Sequence, residues 1–375
     1  MTLRWNDSIK LLGGRFISKS LFLILRLIFL FIQKISWTLS GVSDVVDKNK
    51  ELEKLGKKPT AQALKLLSFN KFCFLLPASL RDFILQHDEY VDPEYVIQND
   101  HVSLFFFDPH QDVAVFGEGK PGQKMWHTDI GDSFISLSLY RFSQRLIVQK
   151  KSVVLMGNTA RCGSTLLTQV YECSNKVICC SEPYPFNTLA EMYREKGLCS
   201  EVSQMTTNII RMYCRPLKCM PDVEGYLLKP SGPSFACAAP IHAVYPEITK
   251  SFYLYRNMHN VTLSIYKLSF IHPIIRLVYL LAGFSGAAVT ALLRSAQFPT
   301  DGTNRTISNC HTSGIMLATL ATKMYMIMKN EGLDVTGLLF DDILANKELA
   351  AKRNEFLVNR RAIKGTVSTL KMKEY

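Results

Sequence analysis

Ser152-Val-Val-Leu-Met-Gly-Asn-Thr-Ala-Arg-Cys-Gly-Ser-Thr-Leu-Leu-Thr-Gln-Val-Tyr171 decides how this chain reads. Ser152–Met156 is a short apolar run of the kind that forms a buried parallel strand, and Leu166–Tyr171 has a helical pattern. Between them, Gly157–Thr165 is a loop of small and polar residues. A strand, a small-residue loop and a helix N-terminus make an anion site, because free backbone N–H groups and the positive end of the helix dipole converge there. Gly163 lets the backbone approach the anion, Ser164 and Thr165 offer hydroxyls in the first turn, and Arg161 adds a cation. A plain capped turn explains Gly163 and Ser164 but not Arg161 at a strand tip. A Walker A loop places Gly-Lys before its Ser/Thr. Here Ser164 follows Gly163 directly and the cation stands two residues earlier, which argues against magnesium-dependent ATPase or GTPase chemistry.

Downstream, Ser251–Tyr255 reads as another strand, with Arg256 at its carboxyl end and Ser264 about one turn into a helix capped near Asn257 or His259. Both face the crevice above a parallel sheet, where α/β folds bind ligands. A guanidinium and a hydroxyl converging there would hold a second phosphate, bidentately on the Arg side. Alone, the pair reads equally well as a salt-bridging Arg and a helix Ser. From Lys151 onward strands alternate with helical patterns, the signature of a parallel α/β sheet of about five strands.

Taken together, the two loops describe a ligand with two separate phosphates and no need of a metal. Thr159-Ala-Arg-Cys-Gly-Ser-Thr-Leu-Leu167 resembles the 5′-phosphosulfate loop of sulfotransferases that use 3′-phosphoadenosine 5′-phosphosulfate (PAPS). Leu254-Tyr-Arg-Asn-Met-His-Asn-Val-Thr-Leu-Ser264 resembles their 3′-phosphate motif, with the Arg-to-Ser gap and the order of the two motifs kept. Cys162 stands where the family more often has Ser, and His259-Asn260 replaces a basic-Asp pair. The likeness covers roughly Lys151 to Leu357 and includes Gly337–Leu344, similar to a late strand-plus-acid segment of the family. It implies a three-layer, P-loop-type sandwich. It also implies Arg161, Cys162, Gly163, Ser164, Thr165 and Leu166 on the 5′ side of PAPS, and Arg256 and Ser264 on the 3′-phosphate.

The resemblance also points to an acid–base residue. In several membrane-bound members a Glu after the next strand accepts the acceptor's proton, and Glu182 in Val177-Ile-Cys-Cys-Ser-Glu-Pro183 fits that place. Sulfuryl transfer to a hydroxyl needs a base within hydrogen-bond reach, which a carboxylate near the donor supplies. The alternative is a Glu pairing with a rim Arg or Lys. Cytosolic members place a His two residues after a Lys on a middle strand; here Leu228-Lys-Pro-Ser231 keeps Lys229 but has Ser at the His position. That favours Glu182 and leaves Lys229 to neutralise charge on the transferring group.

The rest of the chain sets the context. Lys+Arg exceed Asp+Glu by 44 − 32 = 12 in 375 residues, with no long basic tract, so a localised anion site is expected rather than a nucleic-acid tail. Hydrophobic residues at 47% and charged ones at 20% exclude a disordered chain. Ten cysteines are too few for a disulfide scaffold, and the absence of C-x-x-C excludes zinc ribbons and thioredoxin-like motifs. Leu21–Ile32 is apolar except for Arg26. Lys19, Arg26 and Gln33 recur every seven residues as one polar stripe. A signal anchor is the first expectation; an in-plane interfacial helix and a buried core helix are the alternatives. Arg4, Lys10, Arg15 and Lys19 ahead of the run would keep the N-terminus cytoplasmic, giving a single-pass type II protein facing the Golgi lumen. Asn304-Arg-Thr306 would then be an exposed glycosylation sequon.

Residues 1–43 thus form the anchor segment, 44–60 a charged linker, 61–150 an accessory α+β element and 151–375 the sulfotransferase-like domain. Within the accessory element Ala63–Leu85 looks helical, and Val102–Phe107, Asp112–Phe116 and Phe134–Leu139 look like strands. Gly117-Glu-Gly-Lys-Pro-Gly122 is formally G-x-G-x-x-G but lacks a following helix pattern and reads as a β-turn. Asp108, His110, Asp112, His127 and Asp129 lack metal-site spacing and read as solvated loop polars. Leu277–Leu293 is uncharged but reads as two helical pieces bent at its glycines, and Arg360–Gly365 as a solvated basic tail. The expected activity is sulfonate transfer from PAPS to an acceptor hydroxyl, most readily a glycan's, on a membrane, without metal or nucleic acid. The rivals are a P-loop kinase-like phosphotransferase and a non-catalytic membrane protein retaining the fold.

Overall fold

The computed structural model describes residues 5–55, 61–71, 77–110, 113–119, 133–137, 146, 151–159, 161–173, 176–270, 272–282, 286–295 and 322–345. The chain divides into two compact units. One holds Gly13–Val148 with Asn208–Cys219; the other holds Met1–Leu12, Gln149–Thr207 and Met220–Tyr375.

The first unit is built on an antiparallel sheet. Its strands are β1 (Ala61–Phe69), β2 (Phe83–Val91), β3 (Val102–Asp108), β4 (Val113–Glu118) and β5 (Ser133–Leu137), in the order β2-β1-β5-β4-β3. The Phe- and Val-rich runs become β3, β4 and β5 as expected. The helix expected over Ala63–Leu85 is absent: that span holds β1 and β2. Pro77 lies inside it and cannot continue a helix. β1 is also hydrogen-bonded on both sides, to β2 and β5, so pairing overrides the helix propensity of its Ala, Leu and Lys residues. Gly117 pairs with Ser103 inside β4, so the first glycine of the formal G-x-G-x-x-G is a strand residue. Asp108 Oδ1 accepts from the His110 N–H at 3.0 Å, a local turn contact. Residues 120–132, with His127 and Asp129, and residues 111–112, with Asp112, lie outside the described residues.

The buried Arg215 ties Asn208–Cys219 to this sheet. It donates to the carbonyls of Val96 and Val102 and, at 3.1 Å, of Asn99, while the Tyr213 hydroxyl donates to the Leu104 carbonyl at 2.6 Å. Burial lowers the Arg215 pKa to about 10, the cost those carbonyls offset.

α1 (Trp5–Leu39) precedes the sheet, and its Leu12–Leu39 stretch, with a mean hydropathy of 1.9, is long and apolar enough to cross a membrane. Gly41, at φ +73°, follows its C-terminus, the left-handed residue at which helices commonly stop. The charged stretch after it is helical as far as Lys54: Val42–Lys54 is a second helix, α2. Its Asp, Glu and Lys residues carry an i,i+3 pair, Asp47–Lys50, at 4.0 Å.

The second unit contains a parallel sheet of five strands: β6 (Ser152–Asn158), β7 (Val177–Ser181), β8 (Gly225–Lys229), β9 (Thr249–Tyr255) and β10 (Val335–Leu339), in the order β10-β9-β6-β8-β7. The continuous apolar runs of β6, β8 and β9 are buried, as central parallel strands require. From β6 the chain passes through the helix Ser164–Glu172 to β7 at one edge; after β8 it returns to β6's other flank as β9. β6 is therefore a switch point, the place where parallel sheets open a crevice at their carboxyl ends. Gly157 sits in β6 beneath two aromatic rings, where a Cβ would come within 2.4 Å of Tyr253 and 2.8 Å of Phe235. The uncharged stretch Leu277–Leu293 falls into two helices, Pro273–Ala282 and Gly286–Ser295, as expected. Asn304 and the basic tail Arg360–Gly365 lie outside the described residues.

Candidate active site

Four parallel strands deliver their carboxyl ends to one rim, and most candidate residues lie at or just after such an end. Arg161–Thr165 follow β6, Glu182 follows β7, Lys229 ends β8 and Arg256 follows β9. Gly163 adopts φ +80° and caps the helix Ser164–Glu172, so the Ser164, Thr165 and Leu166 N–H groups belong to its first turn. Among the described residues only Arg161 (φ 53°) and Glu182 (φ 54°) are non-glycines with positive φ. Such backbones cost on the order of 1–3 kcal/mol and cluster where a side chain must be aimed.

The loop after β6 and the helix after β9 meet directly. Arg161 Nε donates to Ser264 Oγ at 2.8 Å, joining the loop after β6 to the helix after β9. That helix is Met258–Leu268, capped by the Asn257 side chain, which accepts from the His259 N–H at 3.0 Å. Ser264 is its seventh residue, two turns in rather than one. Arg256 Nε lies 3.4 Å from Asp341 Oδ1, and the other Asp341 oxygen accepts from the Asn257 N–H at 3.2 Å. The pair is partly exposed, so it contributes little to stability and is easily exchanged for another partner.

Lys229 is the hub of the opposite side. Its side chain is 1% exposed, and its Nζ reaches Glu182 Oε1 at 2.9 Å, Ser181 Oγ at 3.1 Å and Thr165 Oγ1 at 3.4 Å. The Glu182 N–H also donates to the Lys229 carbonyl at 2.6 Å, locking the two strand ends together. Glu182 pairs with a cation, though with a buried one rather than one at the rim as the alternative reading had it. That cation is Lys229 itself, and the carboxylate stays 44% exposed toward solvent. Ser231, two residues on, is buried and donates to Asn187 Oδ1 at 3.0 Å, with Ser234 donating to the same oxygen at 2.7 Å. Its hydroxyl is consumed by structure. Cys162 is buried beneath the loop, and desolvation raises its thiol pKa, so it contributes backbone rather than a nucleophile.

Two residues that the sequence reading left without a role belong here. Phe340 packs under the loop so closely that a Cβ on Gly163 would fall 2.2 Å from its ring. Asp341 occupies Arg256. Both lie in Gly337–Leu344, where a strand followed by acidic residues was the available signal. Among the described residues no group of His, Cys, Asp and Glu is placed to hold a metal ion.

No protein-family model matches this chain, and no curated protein matches it with significance.

Proposed function

We propose that the chain is a sulfotransferase that moves a sulfonate group from PAPS to an acceptor hydroxyl, most readily one on a glycan. The observation carrying this reading is the 2.8 Å hydrogen bond from Arg161 to Ser264, which brings two anion loops 103 residues apart into one site. The strand order supports the P-loop-type sandwich: counted from β6 it is 2-3-1-4-5, with the anion loop after the central strand. When bound, PAPS supplies an activated sulfonate whose transfer leaves a 5′-phosphate. The helix N-terminus at Ser164–Leu166 and Arg161 would hold that phosphate, and Arg256 and Ser264 the 3′-phosphate. Glu182 would take the acceptor's proton as the acceptor oxygen attacks sulfur in line with the departing phosphate oxygen. Lys229 would balance charge on the transferring group. The residues present suit this ligand: two cations, a helix N-terminus and a close-approach glycine converge from separate strands.

A single-pass type II placement facing the Golgi lumen would require α1 to cross a bilayer, and the contacts of α1 with the antiparallel sheet argue against that crossing. Incubating the full chain with PAPS and glycan, tyrosine-peptide and lipid acceptors, with mass spectrometric readout, tests the activity. A sulfonated glycan formed equally well with chelator is expected. Magnesium-dependent phosphorylation from ATP would establish the kinase-like rival, and PAP binding without sulfonation of any acceptor would favour a non-catalytic protein.

A further inference from the structure

α1 carries opposite chemistries on opposite sides. Lys19 and Arg26 of the polar stripe face the antiparallel sheet. Lys19 Nζ pairs with Asp82 at 2.8 Å and Arg26 Nε donates to the Phe83 carbonyl at 2.9 Å. Near the ends of the same stripe, Asn70 Nδ2 donates to Ser18 Oγ at 3.1 Å and Trp37 meets His87 edge-on at 5.5 Å. Ile17, Ile24 and Phe31 each precede a stripe residue by two positions, about 200° around the helix. They are 67%, 55% and 66% exposed, and Leu21, Leu27 and Ile28 beside them are also exposed. A helix of a water-soluble protein turns its apolar side inward; this one buries Phe22 beside Lys19 but leaves most of its apolar surface outside.

Crossing a bilayer does not cover that face. Contacts with the sheet run from Ser18 to Trp37, about 28 Å of helix at 1.5 Å per residue, close to the thickness of a hydrocarbon core. Among the described residues the sheet is open, with β2 and β3 at its edges. Unpaired edge N–H and C=O groups are not tolerated in lipid. Asp82, shared by Lys19 and Lys71, fixes the rotation of the helix on the sheet. Along its apolar length α1 cannot enter the core without taking the sheet with it.

We propose that α1 is an in-plane anchor: its apolar face lies in the acyl boundary of a membrane, with the sheet above it in water. Exposed Arg15 and Lys34 bracket the apolar run, and the chain's net charge of +12 favours anionic lipid. This attachment is independent of what the active site does.

The test uses the full chain on phosphatidylcholine–phosphatidylserine vesicles, with a fluorescent amino acid incorporated at Ile17, Ile24 or Phe31 and lipids carrying shallow or deep quenchers. All three probes should report one shallow depth, roughly 5–10 Å. A spanning helix would separate Ile17 from Phe31 by about 21 Å along the normal, and that result overturns the proposal. Ile24→Glu with Ile28→Glu changes only exposed positions, so folding and PAP affinity should persist while vesicle binding drops at least tenfold. Unchanged vesicle binding by that variant, or dimerisation in solution with no binding to any vesicle, would equally refute it.

Discussion

A lysine with 1% of its side chain exposed must be neutralised where it lies, and Glu182 does this for Lys229 from a half-exposed position. The asymmetry separates two roles for Glu182. Glu182→Gln removes the proposed base and, on that proposal, should lower turnover by roughly 10²–10⁴. It also leaves Lys229 buried without a counterion, at a cost of about 1–3 kcal/mol seen as a lower Tm. Adding Lys229→Met should restore Tm but not turnover; recovery of turnover would mean that Glu182 acts only as a counterion. On the other flank, Arg256→Ala and Ser264→Ala should each weaken PAP binding by about 1–3 kcal/mol. Binding of adenosine 5′-phosphosulfate, which lacks the 3′-phosphate, should hardly change. Asp341→Asn removes the carboxylate that holds Arg256 and should tighten PAP binding several-fold; calorimetry showing weaker binding would mean that Asp341 orients Arg256 rather than competing for it.

At the scale of elements, the loop after β6 is shaped from below by the segment after β10. Gly163 needs both its φ of +80° and the space taken by the Phe340 ring, which is itself buried. Gly163→Ala should therefore abolish PAP binding and lower Tm. Adding Phe340→Leu should recover part of the stability but little binding, because the left-handed backbone remains strained for alanine; full recovery would show that the collision alone matters. Legibility in the sequence followed the same local-versus-remote divide. β6, its loop and β9 were readable because buried parallel strands are unbroken apolar runs and the loop's Gly, Ser and Arg are a local pattern. β1 and β2 were misread because their pairing is non-local, although Pro77 argued against a helix. The site residues were identifiable one loop at a time. The Asp341–Arg256 contact spans 85 residues, and the burial of Lys229 depends on three strand ends, so neither could be read from any local pattern.

For the whole molecule, an in-plane helix and a spanning helix differ in one global property: whether both chain ends share a compartment. A flexible glycosylation-acceptor tag on each end converts that into a mass shift. A type II anchor modifies the C-terminal tag alone, whereas an in-plane α1 allows both tags or neither. Both would place the protein in the lumen, where Asn304 should also be glycosylated and Asn304→Gln should remove that glycan. Neither would place the active site on the cytoplasmic leaflet, whose anionic surface suits a chain of net charge +12. In that case membrane release should rise steeply between 0.1 and 1 M salt as the Debye length contracts from about 10 to 3 Å. Glycosylation of one tag only would restore the spanning anchor, and the helix would then have to leave the sheet, breaking the 2.8 Å Lys19–Asp82 pair and the 2.9 Å Arg26–Phe83 hydrogen bond.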